Sequence, residues 1–368
     1  MNYCAEFQSA DGKPVFHLRS DKQFTRHSEG AFLRLLDGRI MYAYSRFANG
    51  YQDDSPSHIA ACYSSDEGLT WTTPQQILNP SDFGTHNIMS VSLLRMQNQD
   101  LGLFLGARRS PQDSVTYLAR SRDEGKTFYQ VTSCTPEDRP GYYVLNNDRV
   151  IRTKNGRLIM PAAYHRGGYD TAHPGTVYFE WRSYLIFRIS DDDGMTWRES
   201  ADIIFPPFSR TRSGLQEPGV IELQSGVLYG YARTDKMYQY EFYSFDGGEH
   251  WTQAEPSSFT SPNSPLQMKR SPDGRSLLAV WNPIPNYNGR KIYPGFDGRT
   301  PLVCAISRDD GGSWSAPMLI EGGEDCGYCY PAIFFTDDGH VLISYCSGIQ
   351  SSGNCLADST IYRMKYNG

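Results

Sequence analysis

The residues of this chain best suited to chemistry stand in short pairs that interrupt apolar runs: Ser28-Glu29, Met89-Ser90, Asn147-Asp148, Gln216-Glu217, Ser264-Pro265 and Tyr330-Pro331. Each precedes a tight turn by about eight residues, the spacing of one strand of a hairpin. On the far side of the turns, at a similar remove, stand Arg46, Arg108 with Arg109, His165, Arg233, Asn282 and Cys346. If each turn closes a hairpin, both sets lie at the same strand ends, and one rim gathers carboxylates, a tyrosine and several guanidinium groups. Guanidinium forks grip carboxylates in a bidentate fashion, so this set suits an anionic sugar. Glu29 and Glu217 also form a candidate carboxylate pair for acid/base cleavage of a glycosidic bond. His86, Asn87, Asn147, Asp148 and His165 add groups able to bind sugar hydroxyls.

The elements that must position these residues are repeats. An octet S-x-D-x-G-x-[T/S/H]-[W/F] occurs five times, with its aspartate at Asp66, Asp123, Asp192, Asp246 and Asp309. In a hairpin turn the Asp side chain accepts amide protons, Gly takes positive φ and the aromatic packs under the next strand. A second series of turns interleaves with the first, at Asp37-Gly38, Gln97 to Asp100, Asn155-Gly156, Ser225-Gly226, Asp273-Gly274 and Asp338-Gly339. The combination predicts six units of roughly 60 residues, each a four-stranded antiparallel blade. The expected fold is therefore all-β, a six-bladed β-propeller filling residues 1–368 as a single domain. The sixth unit lacks an octet, so the N-terminal segment around Phe16 is expected to supply its missing strand and close the ring.

Composition agrees. Aromatics at 13%, with 34 Gly and 22 Pro, favour short strands and tight turns over long helices. A net charge of −6 argues against nucleic acid or an anionic membrane as partner. Met1 to Lys13 has neither the basic start nor the apolar core of a secretory signal, and no stretch has the length of a membrane span, which reads as cytoplasmic. The eight cysteines are scattered, so free thiols are expected; Cys326-x-x-Cys329 lacks the second pair of a zinc site and the βαβ context of a redox motif. No cofactor and no metal are called for.

The octet is the Asp box, and its arrangement resembles the sialidase (neuraminidase) superfamily of propellers, over all 368 residues at the level of repeats. In that resemblance the boxes are structural turns away from the pocket, while QEPGVIELQSG from Gln216, followed by LYGYAR ending at Arg233, is similar to the stretch holding a catalytic glutamate and a substrate-binding arginine. RTPLVCAIS from Arg299 resembles the stretch of another such arginine, and GYCYPAI from Gly327 the motif of the nucleophilic tyrosine, with Tyr330 in better register than Tyr328. The resemblance implies retaining hydrolysis of a terminal acidic sugar: Tyr330 as nucleophile, Glu217 as its base, Asp54 or the adjacent Asp53 as acid, and Arg233 and Arg299 on the substrate carboxylate.

One departure stands out. In TRHSEGAF from Thr25, Ser28 occupies the register of the family's first triad arginine. Either Arg26 or Arg46 reaches the same carboxylate, or the substrate lacks the group that the triad reads; Glu29 adds a further acid. Beside an exo-sialidase-like hydrolase, two readings therefore remain: another acidic-glycan hydrolase or lyase using paired carboxylates, and a non-catalytic carbohydrate-binding propeller.

Overall fold

The computed structural model describes residues 7–136, 138–139, 141–169, 172–173, 175–284, 298–323, 325–349 and 354–368. Among them the chain is all-β apart from a 3-10 turn at Pro80–Phe83. The strands Phe24–Arg34, Ile40–Ala48, Ser57–Ser64 and Gln75–Leu78 form an antiparallel sheet in chain order. The same meander recurs with Gln216–Glu222, Leu228–Arg233, Tyr238–Ser244 and Glu255–Thr260. It recurs again with Gln267–Arg270, Leu277–Trp281, Leu302–Ser307 and Met318–Glu321, to whose edge Gln8–Ser9 adds in parallel. Between the first and the second of these, two further meanders start at Ile88 and Ile151 and merge into one nine-stranded sheet. Tyr142–Val144 joins them, parallel to Asp113–Ser121 and antiparallel to Leu158–Tyr169.

The last sheet uses both ends of the chain. Cys326–Phe335, His340–Ile349 and Asn354–Lys365 supply three strands, and Gly12–Leu18 supplies the fourth, pairing Phe16 with Ile361 and Leu18 with Ser359. The octet-free unit thus obtains its outer strand from the N-terminal segment.

Apolar side chains alternate along these strands and meet between sheets. One core cluster joins Ala31, Met41 and Ile59 to Val91 and Leu103, another joins Ile159 and Phe187 to Val220 and Phe242, and Ile221 and Tyr231 meet Met268 and Leu277 in a third. Phe32, Tyr42 and Ala60 of the first unit pack on Ala332, Leu342 and Ile361 of the last. The octets make the predicted turns. At the first, Ser64 Oγ donates to Asp66 Oδ1 at 2.8 Å, Thr70 N donates to the same oxygen at 2.9 Å, and Trp71 Nε1 donates to Gly68 O at 3.0 Å. Glu67 and Gly68 both take positive φ, 55° and 84°.

The residue between Asp and Gly in the box has a second task. Glu67, Glu124, Asp193 and Asp310 accept from Arg34, Arg95, Arg152 and Arg270 at the ends of their own first strands. The same carboxylates accept a turn N–H from an adjacent unit: Asp337 to Glu67, Leu36 to Glu124, Gln97 to Asp193 and Gln224 to Asp310. Units are therefore clasped at the turn face, which leaves the opposite strand ends to carry the site.

Candidate functional site

The polar pairs at the starts of the inner strands coincide with β-bulges. Register shifts fall between Ser28 and Ala31, Met89 and Ser92, Gln216 and Gly219, and Cys329 and Ala332. At each, one non-glycine residue adopts positive φ: Glu29 at 57°, Ser90 at 62°, Glu217 at 47° and Tyr330 at 53°. A left-handed residue in a strand costs about 1–3 kcal/mol and persists only where the surroundings enforce it, which marks functional positions. The bulge re-aims these side chains: Glu29, Ser90, Glu217 and Tyr330, from four units, line one cavity of about 70 Å³ together with Asp53, Arg108, Tyr142 and Asn146.

At its centre Tyr330 Oη donates to Glu217 Oε1 at 3.3 Å. Glu217 Oε2 is ion-paired with Arg233 Nε at 3.2 Å and accepts from Asn146 Nδ2 at 3.4 Å. Burial, and after it the Glu217 carboxylate, push the Tyr330 hydroxyl well above the usual phenol range. Arg233 is held flat by Gln216, whose Oε1 accepts from Nη2 at 2.8 Å, while its Nη1 has no partner among the described residues. The Arg299 guanidinium lies 5.5 Å from the Tyr330 ring centre, donates to Cys329 Sγ and Asn263 O, and keeps Nε unpartnered. Two arginines thus flank the tyrosine and its carboxylate partner.

The first unit contributes a buried charge cluster. Arg26, 1% exposed, donates to Asp53 Oδ1 at 2.6 Å, Glu29 Oε1 at 3.2 Å and Ser28 Oγ at 3.1 Å, and stacks on Phe47. Ser90 Oγ donates to Glu29 Oε2 at 2.9 Å. Burial drives the Glu29 carboxyl upward against the pull of Arg26. For Asp53 burial also works upward, but Arg26 prevails and holds the carboxyl below its ordinary value. Asp53 and Asp54 sit on an exposed loop held by Asn87, whose Nδ2 donates to Asp53 O and Ser55 O, and by His86, whose Nε2 meets Asp54 O at 3.1 Å. Asp53 lines the cavity; Asp54 is its neighbour on the rim, with no partner for its carboxylate among the described residues.

Other residues singled out from the sequence lie elsewhere. Arg46 stacks at 3.8 Å over Phe24 and donates to His58 Nε2, outside the cavity lining. Asn147 spends its side-chain amide on Gly30 O, Tyr330 O and Pro331 O, tying three units beneath the site. His165 meets Glu180 O through Nδ1 and stacks on Phe179; burial pulls its pKa down to about 4. Of the lining residues, Ser90 and Arg108 were in register but unassigned, whereas Tyr142 and Asn146 were absent from the sequence-based selection; Asn146, beside Asn147, faces Glu217 because Asn147 turns below. Cys62, Cys134, Cys304, Cys329, Cys346 and Cys355 are free thiols; Cys4 lies outside the described residues.

The profile of the BNR repeat-like domain family matches residues 45–343. The chain belongs to that family. Sialidases are among the proteins that this BNR-repeat protein resembles. It is 24% identical over 242 residues to a sialidase from Clostridium perfringens, covering 60% of this chain and 58% of the relative. The chain therefore spans less than two thirds of the length of that curated relative. A protein of unknown function from Dyadobacter fermentans DSM 18053 superposes with a TM-score of 0.70 at 19% identity, over 96% of this chain and 99% of that one. The Hadza microbial sialidase Hz136 superposes with a TM-score of 0.72 at 18% identity, over 96% of this chain and 68% of that one.

Proposed function

We propose that this BNR-repeat protein is a glycoside hydrolase that releases a terminal acidic, sialic-acid-like sugar from a glycan with retention of configuration. The observation that carries the reading is the Tyr330–Glu217 hydrogen bond between Arg233 and Arg299. At 3.3 Å it is long for an O–H···O bond, and such contacts tighten when substrate binds. Glu217 takes the phenolic proton as Tyr330 Oη attacks the anomeric carbon and the glycosidic C–O bond breaks, the departing oxygen taking a proton from the acid named below; water then hydrolyses the glycosyl-tyrosine. A phenol nucleophile suits an anomeric centre that already carries a carboxylate, because it approaches without full charge repulsion. Arg233 and Arg299 neutralise that carboxylate. A cavity of about 70 Å³ is smaller than a monosaccharide, so it takes the carboxylate and anomeric end while the ring projects into the mouth.

Asp54 is the acid in this reading. Asp53 is bound to Arg26 and held ionised, so it cannot supply a proton readily, whereas Asp54 beside it has no partner for its carboxylate among the described residues. The fold completing the picture is a closed six-bladed propeller. Support comes from the succession of apolar clusters between neighbouring units, including one between the first and the last.

A second reading is favoured by Glu29, a buried carboxyl pushed upward in the same cavity as Glu217, with Ser28 where a third arginine is expected. A carboxylate pair hydrolyses with inversion where the two groups stand far enough apart to hold the attacking water between them. Hydrolysis of a fluorogenic sialoside by wild type, Glu217→Gln and Tyr330→Phe tests the main reading, with product stereochemistry followed by NMR. Losses of at least about a hundredfold in both variants with net retention support it; equal rates in all three proteins remove the catalytic assignment, and net inversion transfers it to the carboxylate pair.

A further inference from the structure

The segment 145–149 is a partition between two cavities. Leu145 and Asn146 face the site described above, whereas Asp148 and Arg149 face a larger cavity of about 370 Å³. This second cavity is bounded by the turn-proximal parts of the inner strands Ile88–Arg95, Ile151–Arg152, Gln216–Glu222 and Gln267–Arg270, at the other end from Glu217 and Tyr330. Much of its wall is aliphatic, with Leu93, Val150, Val220 and Met268 contributing. Its volume falls in the range typical of small-molecule sites, which are mostly apolar with a few placed polar groups.

The charges in the lining do not cancel. Arg152 pairs with Asp193, Arg270 with Asp310, and Lys269 with Asp148. Arg149, 2% exposed, has no carboxylate partner among the described residues: Nη1 donates to Tyr231 Oη at 2.9 Å and Gln267 Oε1 at 2.5 Å, and Nε has no partner. Among the described residues, Lys154 Nζ meets only the carbonyl oxygens of Leu223 and Gln224, both at 3.2 Å. The single opposing charge, Glu222, is engaged by the Lys154 backbone N–H. Two cations against one carboxylate leave one positive charge facing an apolar space. A buried guanidinium with neutral partners alone is costly, and an anion relieves the cost.

We propose that this second cavity binds a small organic monocarboxylate, its head group between Arg149 and Lys154 and its apolar body against the aliphatic wall. A single surplus charge matches a carboxylate better than a phosphate monoester, which carries nearly two. The site is separate from the hydrolytic reading and stands or falls without it.

The test is isothermal titration calorimetry with benzoate against the wild type, Arg233→Gln and Lys154→Gln, with benzamide as the neutral probe of equal size. Lys154 lies on an exposed turn, so its variant keeps the fold. The expected result is equal benzoate affinity in wild type and Arg233→Gln, with at least about tenfold weaker binding to Lys154→Gln and of benzamide to wild type. Loss of binding in Arg233→Gln would assign benzoate to the catalytic cavity and overturn the proposal. So would benzamide binding as tightly as benzoate, unchanged affinity in Lys154→Gln, or no binding at all.

Discussion

Replacing Arg26 by Met isolates the buried charge cluster at the edge of the site. Arg26 and Glu29 are 1% and 4% exposed, so their ion pair is hardly screened, whereas Asp53 is 63% exposed and its arm of the cluster contributes at most about 1 kcal/mol. Where both groups are ionised, removing one member of a buried pair costs about 3–5 kcal/mol, because the survivor is left uncompensated. With an unfolding entropy of roughly 0.8 kcal/mol/K for a chain of 368 residues, Arg26→Met lowers Tm by about 4–6 °C. The double variant Arg26→Met/Glu29→Gln removes the orphaned charge and recovers at least about half of that loss. The pH dependence has a definite sign. Glu29 has a raised folded pKa, so its contribution is favourable below the unfolded value of 4.5 and is lost as pH rises through the folded one. Without Arg26 the folded pKa climbs above the wild-type value of about 8, so both proteins share the decline up to that pH and the deficit of Arg26→Met grows only above it. Urea unfolding of the wild type and both variants at about pH 7 and about pH 9 reads all of this. A deficit independent of pH, or a double variant no more stable than the single one, refutes the account of the cluster.

In the Asp54→Asn variant, hydrolysis of a sialoside with a poor leaving group falls at least about a hundredfold while an activated aryl sialoside is little affected, since only the former needs a proton; equal losses on both would remove Asp54 as the acid. Asp53→Asn frees Arg26 and shows chiefly in KM and Tm, measured by steady-state kinetics and calorimetry. Gly214→Ala places a Cβ 2.3 Å from Ser183 O at a φ of +67°, so it destabilises by about 2–4 kcal/mol in urea unfolding. His27, His58 and His165 are pulled down to about 4, chiefly by burial. The unfolded chain then takes up protons first, and stability falls as pH drops from about 6.5 towards 4, a decline that His165→Gln flattens in calorimetric scans.

Turns carried most of what was legible beforehand. Ser, Asp, Gly and an aromatic at fixed offsets can satisfy one another only in one hairpin geometry, so the octets located the outer strands, and the missing sixth octet pointed to the strand Gly12–Leu18. The acidic residue inside the box gave no such signal, because its partners, the turn amides of adjacent units, are distant in sequence. At the site, register indicated Glu29, Glu217 and Tyr330 but not the bulges that aim them, since neither Glu nor Tyr has a local preference for positive φ. A one-residue bulge reverses the face of every side chain beyond it. The shift between Phe24 and Arg26 leaves Arg26 in the cluster, while Arg46 stacks on Phe24. Nor does sequence distinguish Asn146 from Asn147, or Asp53 from Asp54; which neighbour points inward is decided by hydrogen bonds to other units.

The most direct measurement is covalent trapping with a fluorinated sialosyl fluoride that slows breakdown of the glycosyl-enzyme, followed by peptide mass spectrometry. The sugar is expected on the peptide carrying Tyr330, in wild type and not in Tyr330→Phe. An adduct on a carboxylate, or turnover with inverted product and no adduct, would contradict a tyrosine nucleophile poised by Glu217.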